Sequence, residues 1–120
     1  MNRDMDLARQ ILLAVERTPY QGKPGFLLTL KDISKEELDY HIMLLQEAGL
    51  IEATGTTYQS GRIEWRIKRL TWEGHEFLDA ARNENRWNQA KKTIGEKGGS
   101  LTFDILKAVL AQLARQAVGL

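Results

Sequence analysis

Arg69-Leu70-Thr71-Trp72-Glu73-Gly74-His75-Glu76-Phe77-Leu78 is the stretch on which the reading of the fold turns. Just before it, Ile63, Trp65 and Ile67 alternate with Glu64, Arg66 and Lys68, the period of two that marks a half-buried strand. Within it the period changes. Phe77, Leu78 and Ala81 recur at helical spacing. Thr71 therefore reads as a helix N-cap, and Glu73 lies at the positive end of the helix dipole. Arg69 falls in phase with the inward residues of the strand, so the strand is expected to end or bulge there. Trp65, Phe77 and Leu78 are expected in the core. Trp72 is expected to cover the sheet beneath Trp65, with Gly74 permitting close approach to it.

Working upstream, Gln59-Ser60-Gly61 joins this strand to a preceding one over residues 51–58, and Gly61 supplies the positive φ that a tight hairpin needs. Before that, Ser34 and Glu37 have the spacing of a capping box that opens a helix over 34–48. Leu38, His41 or Ile42, Leu45 and Ala48 form its apolar face. Gly49 can take the left-handed conformation that ends a helix, with Leu50 folding back towards Leu45. Helix, glycine stop, two-stranded ribbon, Leu-Thr-x-x-Gly and helix is the order of a winged helix-turn-helix. The predicted fold class is α+β: a winged helix-turn-helix with a small antiparallel sheet and an appended C-terminal helix. One part of the plan is degenerate. The compact helix expected before the recognition helix is replaced by residues 26–34, which read as a strand and a turn.

The ends complete the organisation. Residues 4–17 carry Leu7, Ile11, Leu12 and Val15 on one helical face. Residues 18–25 hold both prolines and must be loop. After Ala81 the pattern weakens at Asn83-Glu84-Asn85 and resumes at Trp87, Ala90 and Ile94, as one bent helix or two. Gly98-Gly99 is a break, and Ser100 can cap a last helix. There Leu101, Ile105, Leu106, Val109, Leu110, Leu113, Ala117 and Val118 cover a wide arc, which favours burial on two sides. The expected division is a winged-helix domain over 1–82 and a helical extension over 83–120 that joins a homodimer.

The bulk numbers exclude several classes. With 120 residues the chain suits one domain with an appended element. There is no cysteine, which removes disulfides and thiolate metal sites and fits a cytoplasmic location. The formal charge is +1, so any affinity for nucleic acid must come from local patches. The longest apolar run, residues 11–15, is far too short to cross a membrane.

Arg3-Asp4-Met5-Asp6-Leu7, Tyr40-His41, Ala48-Gly49-Leu50-Ile51, the run RLTWEGHEFLDA from Arg69 to Ala80, and Trp87 together resemble a family of uncharacterised proteins found in bacteria, prophages and phages. The resemblance spans most of the chain. It implies a winged-helix fold and a mobile-element origin, but no activity and no set of functional residues.

Two functions follow as expectations. In the first, the chain is a small regulator that binds duplex DNA through its wing, with Arg62, Arg66, Lys68 and Arg69 on phosphates. In the second, it is a protein-interaction module of adaptor or antirepressor type, using an acidic helix and the last helix. The first leads, but the helix over 34–48 argues partly against it and reads as a core helix with a solvated acidic face. It offers Lys35 against Glu36, Glu37, Asp39 and Glu47, the wrong balance for a groove-reading helix. The wing's charges also have an ordinary use, since Lys and Arg on an edge strand discourage stray pairing. Arg82, Arg86, Lys91, Lys92 and Lys97 surround Trp87, which is expected to dock its helix on the core rather than stack on bases. His41 and His75 are too few for a metal site. His41 is expected beside the apolar stripe and His75 at the surface. Ser34, Thr71 and Ser100 are explained as caps. No nucleophile–base pair or phosphate loop stands out, so no enzyme, cofactor or metal is expected.

Overall fold

A computed structural model describes residues 1–119. In chain order it comprises α1 (Met5–Arg17), α2 (Lys35–Glu47), β1 (Ile51–Thr57), β2 (Ile63–Leu70), α3 (Trp72–Ala81), α4 (Glu84–Glu96) and α5 (Phe103–Ala117). The class is mixed α+β, with five helices and a two-stranded antiparallel sheet among the described residues. The chain divides into two units, one over residues 1–75 and one beginning at Glu76, so α3 starts in the first and ends in the second. Leu120, the last residue of the expected extension, lies outside the described residues.

In the first unit, α1 starts where Asp4 accepts hydrogen bonds from Asp6 N and Leu7 N at 2.9 and 3.2 Å. It buries Leu7, Ile11, Leu12 and Val15, the stripe its sequence spacing predicts. Helix α2 starts at Ser34, whose Oγ accepts from Glu37 N at 3.1 Å. Leu38, His41, Ile42 and Leu45 are buried. Ala48 is exposed, contrary to expectation, because it is the C-cap residue and the chain turns away there. Gly49, at φ 77°, completes the stop: Gly49 N donates to Gln46 O, and Leu50 N to Leu45 O, each at 3.0 Å. Helices α1 and α2 pack together and against the sheet. Each fully buried Leu or Ile side chain there contributes about 1.5–3 kcal/mol.

The hairpin turns at Gly61, with φ 88°, and Tyr58 N donates to Arg62 O at 2.8 Å. The register is regular from Thr57↔Ile63 to Ala53↔Ile67, then jumps to Glu52↔Arg69. Lys68 is therefore the extra residue of a bulge. That resolves the phase problem at Arg69. The side chain of Arg69 points to solvent and Leu70 returns to the core opposite Ile51. Trp65 is only half-buried rather than core, its indole lying against Gly55, where a Cβ would come within 2.9 Å of the ring.

The strand expected over 26–30 reduces to a bridge at one residue. Phe26 and Ile67 exchange two backbone hydrogen bonds of 2.9 Å. Gly25 makes this approach possible, since a Cβ there would lie 2.7 Å from Ile67 O. Beyond Phe26 the chain leaves β2, runs through a turn at Lys31-Asp32 and reaches Ser34. No helix occurs between Thr18 and Ser34 among the described residues.

Helix α3 is anchored by Thr71. Its N–H donates to Leu50 O at 3.0 Å, its hydroxyl donates to Gly49 O at 2.6 Å, and the same oxygen accepts from Gly74 N at 3.0 Å. Trp72 is 77% exposed and does not cover the sheet. The buried stripe of α3 is Gly74, Phe77, Leu78 and Ala81, and Trp72 falls on the opposite side of that helix.

In the second unit, Phe77 meets Trp87 edge-on at 6.3 Å between ring centroids and Phe103 at 4.5 Å. Asn83 caps α4, so the polar dip at 83–85 separates two helices rather than bending one. Helix α4 buries Trp87, Ala90 and Ile94, and ends at Gly98, where Gly99 N donates to Ile94 O at 2.9 Å. The cap of α5 is Thr102 and not Ser100; Thr102 Oγ1 accepts from Ile105 N at 3.2 Å. Helix α5 buries Leu106 and Leu110 and leaves Ile105 exposed, as is Val118 at its C-cap. Among the described residues, no helix is long and apolar enough to cross a membrane.

Candidate functional site

The β-ribbon carries the four cations singled out from the sequence, and the structure gives each a partner on the ribbon itself. Arg66 Nε lies 3.1 Å from Glu64 Oε1, which also accepts from the Tyr58 hydroxyl at 3.1 Å. Lys68 Nζ and Arg69 Nε reach the two oxygens of Glu52 at 3.1 and 3.0 Å. Arg62, near the hairpin turn, stacks over the Tyr58 ring at 4.7 Å and has no ion pair among the described residues. Four cations thus face two carboxylates, and three of the four are held by them.

The role of Glu52 escaped the sequence reading. Counting outward from the Tyr58–Arg62 pair puts Glu52 opposite Lys68, and the bulge moves Arg69 to the paired position. Both cations then share one carboxylate. The hydrogen bond from Lys68 is the main cause that lowers the Glu52 pKa below its ordinary 4.5, reinforced by the charges of Lys68 and Arg69 and opposed by desolvation. A carboxylate whose folded-state pKa is depressed adds stability that is complete above its unfolded value and disappears as pH falls through the folded one. Glu52→Gln is therefore expected to be less stable than the parent at neutral pH, with the gap closing as pH drops below 4.5. Urea denaturation at several pH values checks this, and a gap that persists into strong acid contradicts it.

Depressions adjoin β2. One, of about 300 Å³, is walled by residues 27–30 on one side and by Arg62, Glu64 and Trp65 on the other, with Leu38 among its lining residues. A neighbouring one, of about 440 Å³, continues along Tyr40, Met43 and Ile63. Both share Lys35, Asp39, Arg62 and Trp65, so they form one groove between the exposed side of α2 and β2. Lys35 and Asp39 are paired with each other. Ile63 at 45% and Leu27 at 52% exposure leave apolar surface at its rim. A third depression, lined by Lys23, Pro24, Thr54, Thr56, Arg66 and Lys68, is cationic and hydroxyl-bearing.

The two histidines part company. His75 is exposed. His41 is 1% exposed, and both its ring nitrogens are committed. Nε2 accepts from Asp4 N at 2.8 Å and Nδ1 donates to Glu37 O at 2.8 Å, which requires the neutral ring with its proton on Nδ1. His41 thus ties the N-cap of α1 to α2 and has no lone pair left for a metal. His41→Leu is expected to cost about 1–3 kcal/mol, because the Asp4 amide loses its acceptor. A denaturation midpoint equal to that of the parent would contradict this. Trp87 is 1% exposed and belongs to the aromatic core, with Lys91 Nζ 6.0 Å from its ring centroid. Its face is not open to a stacked base.

Comparison with known proteins gives kinship without an activity. The model of a family described as "Hypothetical protein (DUF2513)" matches residues 2–100. An uncharacterized protein of Haemophilus influenzae is 40% identical over 119 residues, covering 97% of this chain and 98% of that protein. No solved structure matches.

Proposed function

The chain belongs to the DUF2513 family of hypothetical proteins, and from that premise we propose that it is a winged-helix module whose work is to engage another protein. In this reading α1 is the first helix, Phe26 stands for the first strand, α2 occupies the recognition position and β1–β2 form the wing. The helix that would precede α2 is missing, and a mobile-element origin accords with the prophage resemblance. The observation that carries the protein-binding role is the partial neutralisation of the wing, whose two carboxylates hold three of its four cations. Arg66, Lys68 and Arg69 are matched by Glu64 and Glu52. Binding phosphates would require parting these pairs or drawing two carboxylates towards a polyanion, which works against counterion release. The acidic first turn of α2, Glu36 and Glu37, adds to that repulsion.

The third depression favours a second reading. Lys23, Arg66 and Lys68 beside the hydroxyls of Thr54 and Thr56 are donors that a phosphate chain could use. Fluorescence anisotropy with random duplex DNA at two salt concentrations separates the readings. The protein-binding module is expected to show no binding at low salt. A DNA reader using four cationic contacts would give a log–log salt slope of roughly −3 to −4. That slope, reduced by an Arg66→Ala, Lys68→Ala double substitution, would overturn the proposal.

A further inference from the structure

We infer that the open edge of β2 is a docking site for an extended segment of a partner protein, apolar on alternate residues and carrying a carboxylate beside Arg62. This rests on the protein-binding reading and names the surface and the partner class.

The backbone alternation supplies the first reason. Tyr58 N bonds to Arg62 O, so residues 62, 64 and 66 turn their backbone groups towards β1. Residues 63, 65 and 67 turn theirs to the opposite edge. Ile67 uses both of its groups on Phe26. A continued ladder would next pair Trp65 with Leu28, but residues 27–30 have left β2 and form no strand. Ile63 and Trp65 consequently present N–H and C=O groups along an edge that ends in a cleft rather than in a neighbouring strand.

The cleft supplies the second. It lies between that edge and residues 27–30, where a strand added to a sheet edge would run. In an added strand the alternate side chains fall on opposite faces. One set would meet Leu28, Leu30, Leu38 and Trp65, and apolar residues suit those walls.

Charge supplies the third. At the mouth, Lys35 is paired with Asp39 and Glu64 with Arg66. Arg62 is the cation left without a carboxylate among the described residues. Its guanidinium matches an acidic side chain or a chain-terminal carboxylate. A nucleic acid strand would find apolar walls here and few cations.

The test is selection from a library of randomised linear peptides against the full chain, followed by titration of a selected peptide and amide exchange by NMR. The expected peptide alternates apolar residues and contains an acid. It slows exchange at the amides of Ile63 and Trp65, and loses binding when its own alternate amides are N-methylated. Loss of its salt bridge by Arg62→Glu should weaken it about tenfold or more. Leu27→Lys should weaken it too. Both positions are exposed, so unchanged melting of these variants shows that the fold is intact. Selected peptides that protect another surface would overturn this site and leave the protein-binding reading standing. Failure to select any peptide would overturn the inference. If steeply salt-dependent DNA binding accompanied that failure, the functional reading would fall with it. A dimer that dissociates on Arg62→Glu would make the occupant a second copy and overturn the choice of a foreign partner.

Discussion

Replacing Gly74 with alanine is expected to destabilise the protein by roughly 1–3 kcal/mol or more, the range for forcing extra volume into a filled site. On helix propensity alone the same change should stabilise by about 1 kcal/mol. Local contact reverses the sign. A Cβ on Gly74 would lie 2.0 Å from Leu50 O and 3.0 Å from Leu50 C. The carbonyl cannot swing aside cheaply, because it accepts the Thr71 N–H at 3.0 Å. Thr71 is in turn bound to Gly49 O and Gly74 N, so the three residues hold one another in place. Chemical denaturation of Gly74→Ala measures the effect. A variant as stable as the parent would show that α3 does not approach Leu50 this closely.

Phe77→Ala is expected to cost about 3–5 kcal/mol, the usual penalty for removing a fully buried aromatic ring. Phe77 is 1% exposed and its ring is the common neighbour of Trp87 and Phe103. Removing it deprives α4 and α5 of the same contact and leaves a cavity that neither Trp87 nor Phe103 can fill without leaving its rotamer. Thermal or urea unfolding gives the number, and near-parental stability would refute the placement.

What could be read from the sequence was whatever depends on a few neighbouring residues. Ser34 caps α2, Gly49 stops it, Gly61 turns the hairpin and Thr71 opens α3, each through backbone groups no more than a turn away. The aromatic core residues Phe77 and Trp87 were legible from helical spacing. Features set by distant parts of the chain were not. Trp72 is a different case: its place in the first turn after the wing suggests cover for the sheet, yet Phe77, Leu78 and Ala81, themselves legible from helical spacing, set the inward side of α3 and leave Trp72 on the other. The strand over 26–30 has suitable residues, but its pairing ends where the chain must turn to deliver Ser34 to α2. Choosing Thr102 over Ser100 as the cap is a matter of two residues, and both hydroxyls suit the role. For the candidate site, the four cations were visible from the alternation of β2. The pairing of Lys68 and Arg69 with Glu52 depends on a cross-strand register and a bulge, and so does the partial neutralisation of the ribbon.

Helix α3 begins in one unit and ends in the other, which bears on how the protein comes apart. If the second unit melted and took the later turns of α3 with it, residues 72–75 would remain as a single helical turn. Such a turn lies below the length at which a helix sustains itself after nucleation. Its loss would free Thr71 and expose the Leu50 carbonyl that Gly74 covers. The first unit would then lose a closing contact of its own. Two units that share a helix in this way are expected to unfold in one cooperative transition, with coincident midpoints for probes placed in each.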